Sequence, residues 1–176
     1  MAREDELIRE IHNGRRECLD ELIALYYPAI LRYCLWHMPD RESALDATQE
    51  TFLKLIRFIH RYDHKGQFRA FLYRIASNTC IDMLRRSPAA EPLTEELSQT
   101  AGVSDAAYEI IEKRQQLTAM LTCLDSETRE LVLLKYGQEL THREIASITG
   151  MPLRTIQTKL RRALAKMRQH SPDRPV

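Results

Sequence analysis

A stretch near the carboxyl end of the 176-residue chain carries the side chains best suited to recognising another molecule. From Ile145 to Pro172 the sequence contains six basic residues and no acidic one. Gln and Arg side chains form paired hydrogen bonds with adenine and guanine edges, and Thr, Lys and further Arg side chains contact phosphates. This chemistry indicates a surface that reads duplex DNA. The candidate contacts are Arg154, Thr155, Gln157, Thr158, Lys159, Arg161 and Arg162.

The elements that must position these side chains are two helices joined by a tight turn. Thr141 and Glu144 have the spacing of a capping box, which predicts the start of a first, short helix. Gly150 allows a left-handed turn, and Pro152 suits the first position of a second helix. The inward-facing stripe of that second helix is predicted to be Ile156, Leu160 and Ala163. This order predicts a helix-turn-helix, since a solvated basic helix on an ordinary bundle explains neither the order nor the absence of acid.

The rest of the chain also has the pattern of helices. Apolar residues recur at spacings of three and four, and no strict alternation typical of strands occurs, so we predict an all-α fold. Asn13-Gly14 and Pro39-Asp40 are stop signals, and Pro28 is expected to open a new helix. The predicted helices before the helix-turn-helix lie around residues 7–11, at 16–27, from Pro28 to Pro39, at 43–61, at 68–86, around 108–121, and from Asp125-Ser126 to Gly137.

Two of these helices carry a distinct polar side opposite their predicted apolar stripe. On the helix at 43–61, the predicted inward stripe is Leu45, Phe52, Ile56 and Ile59, and the opposite side carries Asp46, Glu50, Lys54 and Arg57. On the helix at 68–86, the predicted core residues are Phe68, Phe71, Leu72 and Ile75. Asn78, Asp82 and Arg85 on that helix share one polar face, which ends at the basic pair Arg85 and Arg86.

An acidic segment separates the two halves of the chain. Between Ser87 and Glu112 there are six acidic residues and no Lys or Arg, and residues 87–106 are rich in Pro, Ser, Thr and Gly. Such a composition is typical of a flexible linker. We therefore predict two small helical domains joined by an acidic linker. The predicted boundaries are a first domain at 1–86, a linker at 87–106, a second domain at 107–170 and a tail at 171–176.

Several classes of function are disfavoured by the composition. Cys18, Cys34, Cys80 and Cys123 form no CxxC pair and are expected to be buried structural thiols, and no metal or other cofactor is expected. The sequence offers no pair of nucleophile and base and no Gly-rich phosphate loop, so no catalytic residue is assigned. No apolar run approaches the roughly 20 residues that span a bilayer. We expect a cytoplasmic protein without membrane insertion.

A helix-turn-helix fits many regulators, and the first half of the chain narrows the choice. Residues 44–58, ALDATQETFLKLIRF, and 67–86, QFRAFLYRIASNTCIDMLRR, closely resemble region 2 of bacterial sigma factors. Residues 124–168, from LDSETRELVLLKYG to RRALAKMR, resemble region 4. The two regions in this order, with a short linker and no region 3 domain, resemble the extracytoplasmic-function (ECF) group of sigma factors. The resemblance extends from about Leu7 to Met167 and leaves out the linker.

The resemblance implies a function that the residues fit. A sigma factor directs core RNA polymerase to promoters, reading the minus-10 element with region 2 and the minus-35 element with region 4. In this family the matching segment docks against the clamp coiled coil of the largest polymerase subunit, so the resemblance implies that Asp46, Gln49 and Glu50 bind it. An acidic face suits a basic partner helix. The implied contacts with melted minus-10 DNA are Tyr62, His64, Lys65, Asn78, Asp82, Arg85 and Arg86. The implied partners are core RNA polymerase, promoter DNA and an anti-sigma factor.

Two departures from the family pattern concern positions near these sites. Phe71 stands where the family commonly has Trp, and Pro152 stands where it commonly has Ser or Thr as a helix cap. Losing a polar cap costs about 1 kcal/mol locally. An alternative function is a stand-alone helix-turn-helix regulator, which would bind its operator tightly without polymerase. An enzyme with a DNA-binding appendage is a third, weaker hypothesis.

Overall fold

The structure is a computed structural model that describes residues 2–63, 66–86 and 121–169. The chain divides into two compact units, residues 1–96 and 97–176. In the described residues all regular structure is helical, which confirms the predicted all-α fold. The linker, the tail, His64, Lys65 and nearly all of the predicted helix at 108–121 lie outside the described residues.

The first unit is built around its second helix. Its helices are α1 (Ala2–His12), α2 (Glu17–His37), α3 (Arg41–Phe58), a 3-10 turn (Ile59–Arg61) and α4 (Phe68–Arg86). Helix α2 packs against α1, α3 and α4, and α3 also packs against α4. The core of this unit includes the fully buried side chains Ile8, Leu22, Ile30, Tyr33, Leu55, Phe68, Leu72 and Tyr73.

The predicted helix break at Pro28 is wrong. Helix α2 runs without interruption through Pro28. Proline removes the hydrogen bond to the carbonyl of the residue four positions earlier, but Ala24 and Pro28 are both exposed, so water can solvate the released carbonyl. The buried residues Leu22, Tyr26 and Ile30 form one continuous stripe on both sides of the proline. Packing of that stripe keeps the helix intact.

Helix α1 is fastened to α2 through a buried polar contact. The Tyr26 hydroxyl donates a hydrogen bond to the carboxylate of Glu4, and both residues are buried. Burial, followed by the hydrogen bond and the charge of Glu4, raises the pKa of Tyr26 well above its ordinary value. Tyr26 therefore stays protonated and remains a donor at every physiological pH.

Helix α3 buries a face that differs in part from the predicted one. Asp40 caps the helix, its carboxylate accepting from the Ser43 backbone amide at 2.7 Å. Phe52 and Ile59 are buried as predicted, whereas Ile56 is 40% exposed and Leu45 is only half-buried. The remaining buried positions are small or medium-sized: Ala44, Ala47, Thr48, Thr51 and Leu55.

Small side chains explain this difference. Ala44 and Ala47 allow neighbouring helices to approach α3 closely, and the hydroxyls of Thr48 and Thr51 donate to backbone carbonyls within the helix at 2.7 Å. A polar Thr with such a bond is satisfied inside a core. A prediction based on large apolar residues therefore puts the buried stripe of α3 too close to Ile56.

The cysteines divide into two classes. Cys34 on α2 and Cys80 on α4 are buried with their Sγ atoms 3.9 Å apart, while Cys18 and Cys123 are half-buried. The hydrogen bond from Cys80 lowers the pKa of the Cys34 thiol, an effect that burial partly opposes. The expectation of buried thiols is thus confirmed for Cys34 and Cys80, and their proximity was not foreseen.

In the second unit the described helices are α5 (Ser126–Val132), which continues as a π-helical turn (Leu133–Gly137), α6 (His142–Thr149) and α7 (Leu153–Gln169). Asp125 caps α5 by accepting from the Thr128 backbone amide at 2.9 Å. The predicted stop at Gly137 is confirmed, and the next residue, Gln138, donates its amide to the Leu133 carbonyl at 3.0 Å. Helix α5 packs against α7, and its π turn contacts α6.

Candidate nucleic-acid and polymerase-binding surfaces

The turn between α6 and α7 has the predicted local chemistry. The Glu144 amide donates to Thr141 Oγ1 at 3.2 Å, and the Thr141 amide donates to Glu144 Oε2 at 2.7 Å, so both halves of the capping box are present. Gly150 ends α6 with a φ of 74°, in the left-handed region. Helix α7 begins at Leu153 rather than at Pro152. The Pro152 carbonyl accepts from the Thr155 and Ile156 amides, so the proline lies just before the first helical residue.

Helix α7 is fixed to the unit by one buried stripe. Ile156, Leu160 and Ala163 are buried as predicted, and Met167 extends the stripe by another turn. On the opposite side Arg154, Thr155, Gln157, Arg161 and Arg162 are exposed. Arg154, Thr158 and Arg161 follow at spacings of four and three and therefore share one face. Helices α6 and α7 pack against each other, as a helix-turn-helix requires.

Two of the predicted DNA-contacting residues on α7 are already engaged within the protein. The Thr158 hydroxyl donates to the Arg154 carbonyl at 2.9 Å. The Lys159 ammonium lies 2.5 Å from Glu127 Oε2, on α5. Sequence patterns gave no sign of the second contact, because it joins residues 32 positions apart.

The predicted polymerase-contacting residues lie together on α3. Asp46 and Gln49 are exposed and Glu50 is half-buried. Spacings of three and four place them on one side of the helix, and the next residue on that side is Leu53, which is 49% exposed. Ile56, three residues further, is also exposed. We call the set Asp46, Gln49, Glu50, Leu53 and Ile56 the α3 face.

The sequence pattern does not predict the apolar part of the α3 face. It predicts Ile56 in the core and assigns no role to Leu53, whereas Ile56 is 40% and Leu53 49% exposed. A signal was present, because Leu53 follows Asp46 and Gln49 at spacings of seven and four. An exposed apolar surface beside carboxylates is typical of an interaction site for another protein.

The candidate minus-10 residues fall into two groups. Asn78, Arg85 and Arg86 on α4 are exposed. Asp82 is half-buried, with Oδ2 at 3.9 Å from the Lys54 ammonium, which also donates to Thr79 Oγ1 at 3.1 Å. Lys54 therefore connects α3 to the polar face of α4.

Tyr62 belongs to an aromatic cluster. Its ring stacks on Phe71 with centroids 4.5 Å apart and meets Phe68 edge-on at 5.7 Å. Phe68 and Leu72 are fully buried, as predicted, while Phe71 is half-buried. Tyr62 is thus packed against the start of α4, and His64 and Lys65, which follow it, lie outside the described residues.

No group of three metal-binding side chains occurs in the described residues. None of the helices over the same residues is both long enough and apolar enough to cross a membrane.

Comparison with known proteins agrees with both units. The protein-family model of Sigma-70 region 2 matches residues 22–88, and that of Sigma-70 region 4 matches residues 114–167. ECF RNA polymerase sigma factor SigD of Mycobacterium tuberculosis (strain ATCC 25618 / H37Rv) is 30% identical over 93% of this chain and 82% of its own length. SigW of Bacillus subtilis (strain 168), also an ECF RNA polymerase sigma factor, is 25% identical over 94% of this chain and 95% of SigW.

Two solved structures share the fold. CnrH in complex with the cytosolic domain of CnrY superposes with a TM-score of 0.73 at 20% identity, covering 96% of both chains. RpoE in complex with the anti-sigma factor NepR from Bartonella quintana gives a TM-score of 0.67 at 19% identity, covering 88% of this chain and 98% of RpoE.

The chain belongs to the ECF group of RNA polymerase sigma factors. It is an initiation factor that works with core RNA polymerase at promoter DNA, and it is not an enzyme. The match of residues 22–88 to region 2 decides against a stand-alone helix-turn-helix regulator, which has no need of that region.

Proposed function

We propose that the three surfaces described above divide the work of promoter recognition in this chain. The α3 face binds core polymerase, the polar side of α4 holds minus-10 DNA, and the outward side of α7 reads the minus-35 element. The domain limits proposed with these roles are 1–86 and 107–170, with residues 87–106 as the linker. A linker of about 20 residues raises the effective concentration of the second domain once the first is bound.

The observation that carries the proposal is the composition of the α3 face. Asp46 and Glu50 supply negative charge, Gln49 supplies an amide, and Leu53 and Ile56 supply exposed apolar surface. A basic amphipathic helix of a partner would neutralise the carboxylates and cover the apolar side chains at the same time. The clamp coiled coil of the polymerase is the partner that this surface is proposed to bind.

On α4 the proposed DNA ligands are Asn78, Arg85 and Arg86. Asn78 both donates and accepts toward a base edge, and the two arginines neutralise phosphates of the single strand. Asp82 is proposed to act through Lys54, since a carboxylate facing the strand would repel it. Tyr62 is proposed to support the start of α4 through its ring contacts with Phe68 and Phe71. His64 and Lys65 are proposed as further contacts to the same strand.

On α7 the proposed base-reading residues are Arg154, Gln157 and Arg161, with Thr155, Thr158 and Arg162 at phosphates. Arg and Gln are the side chains that form paired hydrogen bonds with guanine and adenine. The support for this assignment is the exposure of Arg154, Gln157 and Arg161 on a helix whose other side is fixed in the core.

The proposal places the protein in the cytoplasm, where its polymerase is. It also includes an anti-sigma factor as regulator, because RpoE of Bartonella quintana, which has this fold, was solved in complex with one. Such a partner would have to cover at least one of the three surfaces.

The test of the proposal is a pair of charge-matched variants of the full chain. Asp46→Asn with Glu50→Gln removes two negative charges from the α3 face, and Glu17→Gln with Asp20→Asn removes two exposed charges from α2. We expect the first pair to weaken binding to purified core polymerase by about tenfold or more, since each contact of this kind contributes at least about 1 kcal/mol. We expect the second pair to stay within about twofold. Equal affinity of both variants for core would refute the assignment of the α3 face.

A further inference from the structure

Lys159 is placed differently from the other basic residues on the DNA-facing half of α7. It follows Ile156 by three positions and precedes Ala163 by four, and both of those residues are buried. Lys159 therefore lies on the edge of α7 that adjoins the core, and its side chain is only 31% exposed. Arg154 and Arg161 are exposed on the outward side, and no acidic side chain of the described residues pairs with either.

The charges around Lys159 come from the start of α5. Its Nζ atom lies 2.5 Å from Glu127 Oε2. The hydrogen bonds of Thr128 are the main cause of the lowered pKa of Asp125, and the charge of Lys159 is a smaller one. The ammonium thus pairs with the Glu127 carboxylate at the start of another helix. To neutralise a DNA phosphate it would have to leave Glu127, and the phosphate would then approach an unpaired carboxylate.

We propose that Glu127 holds Lys159 away from the DNA phosphates. Glu127 is then a specificity-determining residue, and Lys159 is a positioning residue. The inference rests on the proposed reading of duplex DNA by α7. A phosphate contact adds affinity for every sequence, whereas base contacts add affinity for one. Withholding one phosphate contact lowers non-specific binding and leaves discrimination to Arg154, Gln157 and Arg161. The same ion pair links α7 to α5 and so adds to the buried stripe that sets how those three side chains face the groove.

Salt dependence separates this role from an ordinary DNA contact. Each phosphate neutralised by a protein changes the slope of log K against log salt by about 0.9. The measurement is fluorescence anisotropy of the full-length chain with a random-sequence 30-base-pair duplex, in KCl from about 50 to about 200 mM, the range over which such slopes are well resolved. The variants are Glu127→Gln, Lys159→Gln, the double variant and Lys159→Arg. Glu139→Gln removes the same charge from another exposed position of the second unit and serves as the control.

We expect the wild type, Lys159→Gln, Lys159→Arg and Glu139→Gln to have the same slope. The slope for Glu127→Gln should be steeper by about 0.9, because the substitution releases Lys159 to a phosphate. Over the fourfold rise in salt, the steeper slope adds about a threefold loss of affinity. The double variant should return to the wild-type slope. Thermal unfolding of each variant checks that all are compared in the folded state.

Three results would overturn the inference, each for a different reason. A slope that falls by about 0.9 in Lys159→Gln would make Lys159 a phosphate ligand in the wild type. A steeper slope in the double variant would show that Glu127 acts by general repulsion and not through Lys159. Failure of the wild type to bind the duplex in a salt-dependent way would instead remove the proposed DNA-reading role of α7, and the inference with it.

Discussion

The ring of Tyr62 stacks on the ring of Phe71, with centroids 4.5 Å apart and planes inclined by 23°. This contact links Tyr62, the residue after the 3-10 turn, to Phe71 in the first turn of α4. Since Tyr62 also meets the buried Phe68 edge-on, aromatic packing holds Tyr62 against the start of α4. The stability of the first unit and the position of the proposed minus-10 surface thus depend on the same ring.

Replacing Tyr62 tests that dependence. Tyr62→Ala removes two ring contacts from a half-buried site, and we expect it to lower the free energy of unfolding by about 1–3 kcal/mol. Tyr62→Phe keeps the ring and should retain most of the stability. Fluorescence of Trp36, the single tryptophan, reports on the first unit during urea unfolding. Equal stability of the alanine and phenylalanine variants would show that the stacking contributes nothing.

The cap of α3 predicts a specific dependence on pH. The Ser43 backbone amide, followed by the Ser43 hydroxyl, lowers the pKa of Asp40. A carboxyl group whose pKa is lower in the folded state stabilises the fold above its unfolded pKa of about 3.9, and this contribution is lost as the pH falls through the folded value. Asp40→Ala should therefore cost about 1 kcal/mol at neutral pH and progressively less below about pH 4.

The measurement for Asp40 is urea unfolding followed by Trp36 fluorescence at pH 7 and at pH 3. Asp40→Asn is the matched control, because Asn caps a helix about as well as Asp and does not titrate. The stability of Asp40→Asn relative to the wild type should increase as the pH falls. The same deficit of the alanine variant at both pH values would contradict a role for the ionised cap.

Gly150 is the backbone requirement of the helix-turn-helix. Its φ is 74°, and a Cβ added there would meet no atom within 4 Å. The cost of Gly150→Ala is therefore conformational and not steric, about 1–2 kcal/mol for a residue forced into the left-handed region. Gly150→Asn should cost less, because Asn tolerates this conformation better. Unfolding of the second unit, followed by circular dichroism, would rank the variants by stability. A Gly150→Ala variant more stable than Gly150→Asn would contradict this explanation.

The sequence predicted best where one or two residues determine a local structure. The capping box at Thr141 and Glu144, the left-handed turn at Gly150 and the cap at Asp125 each depend on contacts within four residues. Local chemistry of that kind is nearly independent of the rest of the fold. The start of α4 and the buried stripe of α7 followed from periodicity in the same way.

The errors occurred where packing between helices outweighed local preference. Pro28 normally ends a helix, but the buried stripe on both sides of it keeps α2 continuous. Small residues such as Ala44 and Ala47 shifted the buried face of α3 away from Ile56 and so left an apolar surface exposed. The pairing of Lys159 with Glu127 joins two helices distant in sequence, and no periodicity in either helix encodes it.

We propose that this chain directs core polymerase to promoters through two DNA-reading surfaces and the α3 face. The most direct measurement is in vitro transcription with core RNA polymerase freed of other sigma factors and a pool of fragments from the organism's own genome. We predict transcripts with discrete start sites that appear only when the protein is added, and that are lost with Asp46→Asn and Glu50→Gln together but kept with Glu17→Gln and Asp20→Asn. Transcripts that do not depend on the protein, or specific binding to the same fragments without core polymerase, would contradict the claim.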